Sequence, residues 1–415
     1  MFGSVSVRDA GPDDDVAGVR PRWVVLPESV EEISEVLRVC TERGLAVVPV
    51  GGGTKLHWAR RPDRCDVLLD LCCMNQVLEH AAGDLVVRVE AGVTMDALAG
   101  VLAGKGQELA LDTPLDGATV GGTLATALAG PRSLRYGTAR DLLIGVTVVL
   151  ADGTVARSGG KVVKNVAGYD LGKLLTGSYG TLGVIAEATF RLHPLPSKRF
   201  WASGRVPAAR YDRDDTGGTT WLPGNLDRLL HTLVTSHAEP SAIELDWPPG
   251  ASEMTVSALF EGGAAEGRAR AVHDLGLTDV ADAPPATWAR LPGDEMLIEA
   301  RAPLSRVQAL AVAIFSASGE AEVPAATRMW LGDHLVARIA LPPDTGPAAV
   351  AAFVTSLHAD FDDDDGRIVL LAAPHEAARR VERWGRVGAL QLMRRVKQRF
   401  DPGGLLAPGR LPGGV

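Results

Sequence analysis

VVPVGGGTKL, residues 47–56, is an apolar run that stops on three consecutive glycines. A short apolar run bounded by glycine reads as a buried strand. Glycines directly after it let successive backbone N–H groups converge on an anion. The residues after Gly53 decide which loop this is. A Walker A loop needs G-x-x-x-x-G-K-S/T, and no window of the chain supplies it. A Rossmann turn needs G-x-G-x-x-G opening a helix. Here the glycines lead into TKLHWARRPDRCDVLLDL, which has no helical apolar stripe before a new strand at 66–71. Both common nucleotide loops are therefore excluded. Alone, the glycines are equally compatible with a tight turn.

The flanking sequence gives the loop a frame. RWVVL (22–26) reads as a strand closed by Pro27, and Ser29 with Glu32 three residues later predicts a capping box. Ile33, Val36, Leu37 and Cys40 recur at helical spacing until Gly44, and 45–50 forms the next strand. This β-α-β order predicts a parallel pair. Further strands are expected at 85–92 and 181–196, helices at 95–106 and 119–130, and a hairpin at 144–160 turning on ADGT. Beyond the prolines at 194 and 196, YDRDDTGGTTWLPGN (211–225) reads as a polar linker. Helices at 226–237, 264–275, 303–316 and 347–358 then alternate with strands at 242–247, 254–260, 296–300 and 335–341. FDDDDGR (361–367) reads as a solvated turn. A last helix aligns Leu390, Met393, Val396 and Phe400 before a Pro/Gly-rich tail that must pack as loop.

Composition narrows the class. The 415 residues exceed one typical core, and 46% hydrophobic with 22% charged residues is ordinary for a globular protein. A net charge of −9 without a dense basic block excludes a nucleic-acid footprint. No apolar run is long enough to span a membrane, and the N-terminus lacks a signal-peptide pattern, so a cytoplasmic location is expected. The four cysteines, Cys40, Cys65, Cys72 and Cys73, read as small buried hydrophobes in a reducing compartment. The nine histidines show no metal-ligand spacing, so no protein-bound metal is expected.

Two further glycine-rich zones, 112–153 and 158–185, change the weight of the first. Glycine at such density between strands costs stability unless a ligand lies against the backbone. Three separated zones predict a ligand as long as a dinucleotide. Here GPRSLRYGTARDLLIGV (130–146), GGKVVKNVAGYDLGKLLTGSYGTLGVI (159–185) and FDPGGLLAPGR (400–410) make the chain resemble flavoproteins of the vanillyl-alcohol oxidase or PCMH type. The resemblance covers residues 15–196 and the 400–410 tail. Within that family these segments look most like the FAD-binding subunits of bacterial glycolate oxidases.

The resemblance implies an α+β fold with three parts. A two-subdomain PCMH-type FAD-binding domain would occupy 1–196, and an α+β cap domain with an antiparallel sheet 197–388. A helix and tail at 389–415 would return to the FAD domain. FAD is implied to contact Gly51, Gly52, Gly53, Thr54 and Lys55 as the pyrophosphate loop, then Thr113, Pro114, Gly117, Thr119, Val120, Gly121 and Gly122. Gly137, Arg140 and Asp141 match a "YGxxxD" turn, Gly183, Val184 and Ile185 the adenine-side strand, and Arg410 the closing tail. Covalent relatives carry His in the glycine loop or Cys in the second zone. Thr54 and LDGATVGG (115–122) stand there instead, which implies dissociable FAD.

Oxidation of a 2-hydroxy acid needs a cation for the carboxylate and a base for the hydroxyl proton. Lys161, Lys164, Asn165 and Tyr169 share one short motif, and Lys164 and Asn165 are the candidate catalytic contacts. Arg132, Arg135 and Arg140 form a second set, suited to a carboxylate or to a subunit interface. The His-rich metal motif of the hydroxy-acid-oxidising relatives is missing, and Ala407 stands where the tail usually has Asn. The implied role is an FAD subunit that works with a catalytic flavoprotein and an iron–sulfur subunit, held by them at the inner face of the membrane. A stand-alone FAD-dependent 2-hydroxy-acid dehydrogenase and a flavin-free structural subunit are the alternatives.

Overall fold

The computed structural model describes residues 2–160, 171–208, 210–213, 219–222, 226–361 and 366–415. These divide into two compact units. One takes residues 1–129, 138–195 and 387–415; the other takes 130–137 and 196–386. Segment 130–137 thus packs with the later residues of the chain.

The first unit contains two larger sheets and a two-stranded ribbon, Gln107–Glu108 with His193–Pro194. Strands Ser6–Asp9, Trp23–Leu26, Val67–Asp70 and Val47–Val50 form the first, in that order. Trp23–Leu26 and Val47–Val50 are parallel as the β-α-β unit requires, yet they do not touch. Val67–Asp70 lies between them, parallel to both. The intervening helix, Val30–Arg43, starts where Ser29 accepts the Glu32 N–H at 3.2 Å and ends at Gly44 with φ 63°. The reciprocal half of the capping box is absent, because the Glu32 carboxylate takes the N–H of Glu28 instead.

The second sheet is antiparallel, in the order Val77–Ala81, Val86–Glu90, Val184–Arg191, Leu143–Val149, Val155–Gly159. Its central strand, Val184–Arg191, is buried at every residue but the last, so both faces are covered and the expected alternation is muted. Ile33, Leu37, Val47, Leu69, Val87, Val148 and Ala188 belong to one hydrophobic core fed by both sheets. The tail joins the first sheet: Val47 N–H donates to Leu405 O and Ala407 N–H to Val47 O, both at 2.8 Å, which covers the edge strand. In the helix Leu390–Phe400, the predicted stripe is only half-buried, and the most buried residue is Lys397.

The second unit is one eight-stranded antiparallel sheet. Its order is Asp279–Ala281, Arg199–Pro207, Glu253–Glu261, Ala242–Trp247, Ala326–Leu331, Leu335–Ala340, Leu297–Ala302, Arg367–Ala372. Ile243, Leu245, Val256, Ile298 and Ile339 pack with residues of helices Leu226–Thr235, Ala265–Arg270, Val307–Glu320 and Pro347–Phe361 in one core. Four of these strands escape the sequence reading. Arg199–Pro207 carries Gly204 and ends on proline, and Arg367–Ala372 comes directly after the acidic run. The supposed linker holds a two-stranded ribbon, Arg210–Arg213 with Thr219–Leu222. Residues 362–365 of the acidic turn lie outside the described residues.

A cation-lined glycine cleft as candidate cofactor site

The loop after Val50 enters no helix: Leu56 N–H returns to Gly53 O and Trp58 N–H to Lys55 O, two successive turns. Gly53 sits at φ 70°. Gly52 is required by contact, because a Cβ there would land on the Gly117 carbonyl, and one at Gly51 would strike the Thr119 hydroxyl. The first and second glycine zones therefore lean directly on each other. A cleft opens beside them, lined by Gly51–Leu56, Thr119, Gly121, Gly122, Thr126, Tyr179, Gly180, Gly183, Ile185 and Arg410.

Hydrogen bonding separates the two zones. The N–H groups of Val120 and Gly121 are taken by Val93 O and Ala91 O, and Gly122 N–H by the Thr119 hydroxyl. These glycines and the helix they start, Val120–Thr126, are closed by the protein itself. In contrast, among the described residues no acceptor pairs with the N–H groups of Gly51, Gly52, Gly53, Thr54 or Lys55. These five residues line the cleft, with Gly52 and Gly53 also exposed to solvent. Polar groups left this way need an outside partner, water or a ligand.

The charges agree with the donors. Lys55 is 7% exposed, and its ammonium has one polar partner among the described residues, the Thr54 hydroxyl at 3.0 Å. Burial pushes its pKa from 10.5 down to about 8. Arg410, 3% exposed, donates to Leu56 O at 3.1 Å and to Trp58 O at 2.6 Å, while its Nε has no acceptor among the described residues. Burial lowers its pKa to about 10, and the guanidinium stays charged. No carboxylate lines the cleft among the described residues. Open N–H groups, two buried cations and no acid form a donor set for an extended anion, and the pyrophosphate of FAD fits it.

The structure sorts the sequence-derived residues. Gly51, Gly52, Gly53, Thr54, Lys55, Thr119, Gly121, Gly122, Gly183, Ile185 and Arg410 come together at the cleft. Gly117 stands behind the loop, offering its carbonyl to Gly52. Val120 and Val184 are fully buried in the core and face away. Thr113 and Pro114 do not line the cleft. Asp141 caps its own short helix, Ala139–Leu142, by accepting from the N–H and hydroxyl of Thr138, both at 2.8 Å, and Arg140 is exposed. Gly137 belongs to the second unit. Lys161, Lys164, Asn165 and Tyr169 lie outside the described residues.

Some lining residues carry no motif signal. Val48, Val50, Leu56, Leu71 and Ala125 are ordinary apolar residues made relevant by the fold. Tyr179 and Gly180 are readable in retrospect: both have positive φ, 52° and 75°, and a Cβ on Gly180 would press on Pro49. The buried Trp58, Trp201 and Trp330 are packing residues. Cys40 and Cys65 are buried as expected, but Cys72 and Cys73 are exposed in the turn after Val67–Asp70, their sulfurs 3.8 Å apart.

Comparison with known proteins bears on the fold and the cofactor. Residues 21–159 match the family described as FAD binding domain. The chain is 35% identical over 231 residues to glycolate oxidase subunit GlcD of Bacillus subtilis, a match covering 55% of this chain and 46% of that protein. It is 39% identical over 172 residues to the mitochondrial D-2-hydroxyglutarate dehydrogenase of Bos taurus, covering 41% and 32%. It is 37% identical over 180 residues to a mitochondrial cytochrome-type D-lactate dehydrogenase of Saccharomyces cerevisiae, covering 43% and 30%. The chain thus spans less than half the length of these curated relatives. Among solved structures, p-cresol methylhydroxylase with substrate bound superposes with a TM-score of 0.70 at 16% identity, over 94% of this chain and 89% of that one. Alkyldihydroxyacetonephosphate synthase gives 0.68 at 19%, over 94% and 76%. The fold is shared over nearly the whole chain, and the family match falls on the residues that build most of the cleft. Residues 21–159 thus carry an FAD binding domain, on a fold shared with p-cresol methylhydroxylase.

Proposed function

We propose that the chain holds FAD without a covalent bond and takes part in oxidising a small 2-hydroxy acid, as the FAD-binding subunit of a glycolate-oxidase-type complex. One observation carries this reading: five consecutive N–H groups without a protein partner beside Lys55 and Arg410, in a cleft that no acid lines among the described residues. Bound FAD would supply a two-electron acceptor, which the protein's own side chains lack. The residues present would do the holding. The 51–55 backbone and the two cations would neutralise the pyrophosphate. The apolar wall of Val48, Val50, Leu71 and Ile185 would exclude water, and the small side of Gly121 and Gly183 would admit a flat ring system.

Names of the relatives favour a hydroxy-acid donor, since they include a glycolate oxidase subunit and D-lactate and D-2-hydroxyglutarate dehydrogenases. Conversion of a 2-hydroxy acid to its 2-oxo acid releases two electrons and two protons. The partners proposed for that chemistry are a catalytic flavoprotein and an iron–sulfur subunit, the latter passing electrons onward. No helix among the described residues is long and apolar enough to cross a membrane, so a membrane-side location would be conferred by the partners.

The test is spectroscopic. The purified chain is expected to be yellow, or to become so with added FAD, and to stay unbleached when glycolate or D-lactate is added anaerobically. Rapid bleaching would make it a stand-alone dehydrogenase. A colourless chain that takes up no FAD would refute the cofactor reading and leave a structural subunit.

A further inference from the structure

Lys55 is the unusual charge in this cleft. Most buried lysines are paired, because an isolated ammonium in a low-dielectric site is costly. Lys55 has a hydroxyl where a carboxylate would be expected. Among the described residues its surroundings offer no substitute. The glycine loop contributes no acid, the 119–126 segment contributes threonines and apolar residues, and the strand ending at Leu71 contributes an apolar side chain. The 179–185 segment brings Tyr179, and the tail brings Arg410, a second cation. Lys55, Tyr179 and Arg410 are the titratable groups lining the cleft among the described residues. Behind the loop, the Cys65 thiol is pushed up to about 12 by burial and stays neutral, and Asp63 pairs with Arg60 at the surface.

We propose that Lys55 is a proton-dependent clamp for the cofactor: charged, it completes the anion site with the open N–H groups of residues 51–55; neutral, it lets the dinucleotide go. The inference rests on FAD being the ligand of this cleft. It adds that retention is regulated by pH through this one side chain, since the other cation, a guanidinium, does not titrate near neutrality. The signs come from linkage. Without ligand the ammonium titrates near 8, below its ordinary 10.5, because nothing offsets its burial. An anion bound beside it raises that value, so binding takes up a proton and affinity falls as pH rises above about 8. The stability of the ligand-free protein moves the other way. The charged form is disfavoured in the folded state, so stability rises with pH between about 8 and 10.5.

The experiment titrates FAD into apoprotein and reads flavin fluorescence at about pH 7, 8 and 9, with calorimetry in buffers of different ionisation enthalpy. The wild type is expected to lose affinity about tenfold across that range and to take up about three-quarters of a proton near pH 8.5. Lys55→Met is expected to bind about a hundredfold more weakly at pH 7, with a flat profile and no proton uptake. Its apoprotein should melt no lower than the wild type, because a buried unpaired charge has been removed. Lys55→Arg is expected to bind with a flat profile at near wild-type affinity, since a guanidinium stays charged. Tight, pH-independent binding by the wild type, or equal affinity in Lys55→Met, would overturn the clamp while leaving the cofactor reading intact. Failure of the wild type to bind FAD at any pH would overturn both. If Lys55→Met does not fold, the proton uptake of the wild type decides.

Discussion

Two buried lysines in the first unit are treated in opposite ways. Lys397, near the end of the last helix, donates to Asp401 at 2.6 Å, Thr181 O at 2.8 Å and Leu406 O at 2.7 Å. All three protons of the ammonium are used. Asp401 in turn accepts the N–H groups of Leu405 and Leu406. Burial pulls the Lys397 pKa down, and the hydrogen bond and charge of Asp401 pull the other way. Lys55 has burial alone and one hydroxyl. The first lysine is finished by the protein, so it is architecture. The second has one hydroxyl partner among the described residues, in the cleft proposed to hold the cofactor. Burial does not separate the two; the inventory of acceptors does.

The sharpest way to break this contrast is to remove Lys397. Lys397→Met leaves a buried carboxylate and two carbonyls without their donor, and a loss of about 3–5 kcal/mol in urea unfolding is expected. A loss under about 1 kcal/mol would mean that the pair is dispensable and that the contrast has no energetic content. Gly52→Val comes next. Its Cβ collides with the Gly117 carbonyl, so the loop must shift and FAD retention should fall by at least about a hundredfold, ~2.7 kcal/mol. Wild-type flavin content in that variant would show that these glycines serve packing only.

Glu244 in the second unit extends the comparison to a carboxylate. It is 2% exposed, and one of its oxygens accepts both Ala289 N–H and Trp330 Nε1–H at 2.8 Å. Burial nevertheless raises its pKa from 4.5 to about 7. A raised carboxyl favours the folded state when protonated, so stability falls as pH rises from about 4.5 to 7 and stays lower above it. Glu244→Gln keeps the accepting oxygen. Melts should show it more stable than the wild type above pH 7, on the order of 1 kcal/mol, with the gap closing towards pH 4.5. An identical pH profile in the two proteins would argue against the burial account. The smallest effect is the one on Lys55→Met apoprotein, within about 1 kcal/mol of wild type or slightly above it, even as its flavin affinity drops. That pairing of unchanged stability with lost affinity is the reverse of the outcome expected for Lys397→Met.

How much of this was legible in the sequence depends on the range of the interactions. The helix Val30–Arg43 and the strands around it were readable because capping, glycine stop and apolar spacing are local. The absence of a helix after Gly53 was readable for the same reason. The strand between Trp23–Leu26 and Val47–Val50 was not, since Val67–Asp70 is inserted by long-range pairing. Glycine density pointed at loops that line the cleft but assigned them equal roles. Only hydrogen bonding shows that Gly121 and Gly122 are already satisfied and residues 51–55 are not. Asp141 matched a family turn, and its local task is a helix cap. Lys55 was named for its charge, whereas its proposed role rests on the lack of acids around it among the described residues.

The Arg410 side chain ties down the carbonyls of Leu56 and Trp58, more than three hundred residues upstream. The tail that delivers it is itself fixed to Val47 and, through Asp401, to Lys397. During synthesis the glycine loop therefore emerges long before the residue that sets its shape. An early-made cofactor loop here waits for a late-made clasp, and contacts of such sequence separation form slowly. FAD capture should then wait until residues 397–410 have been made, and ribosome-stalled fragments ending before residue 397 should carry no flavin.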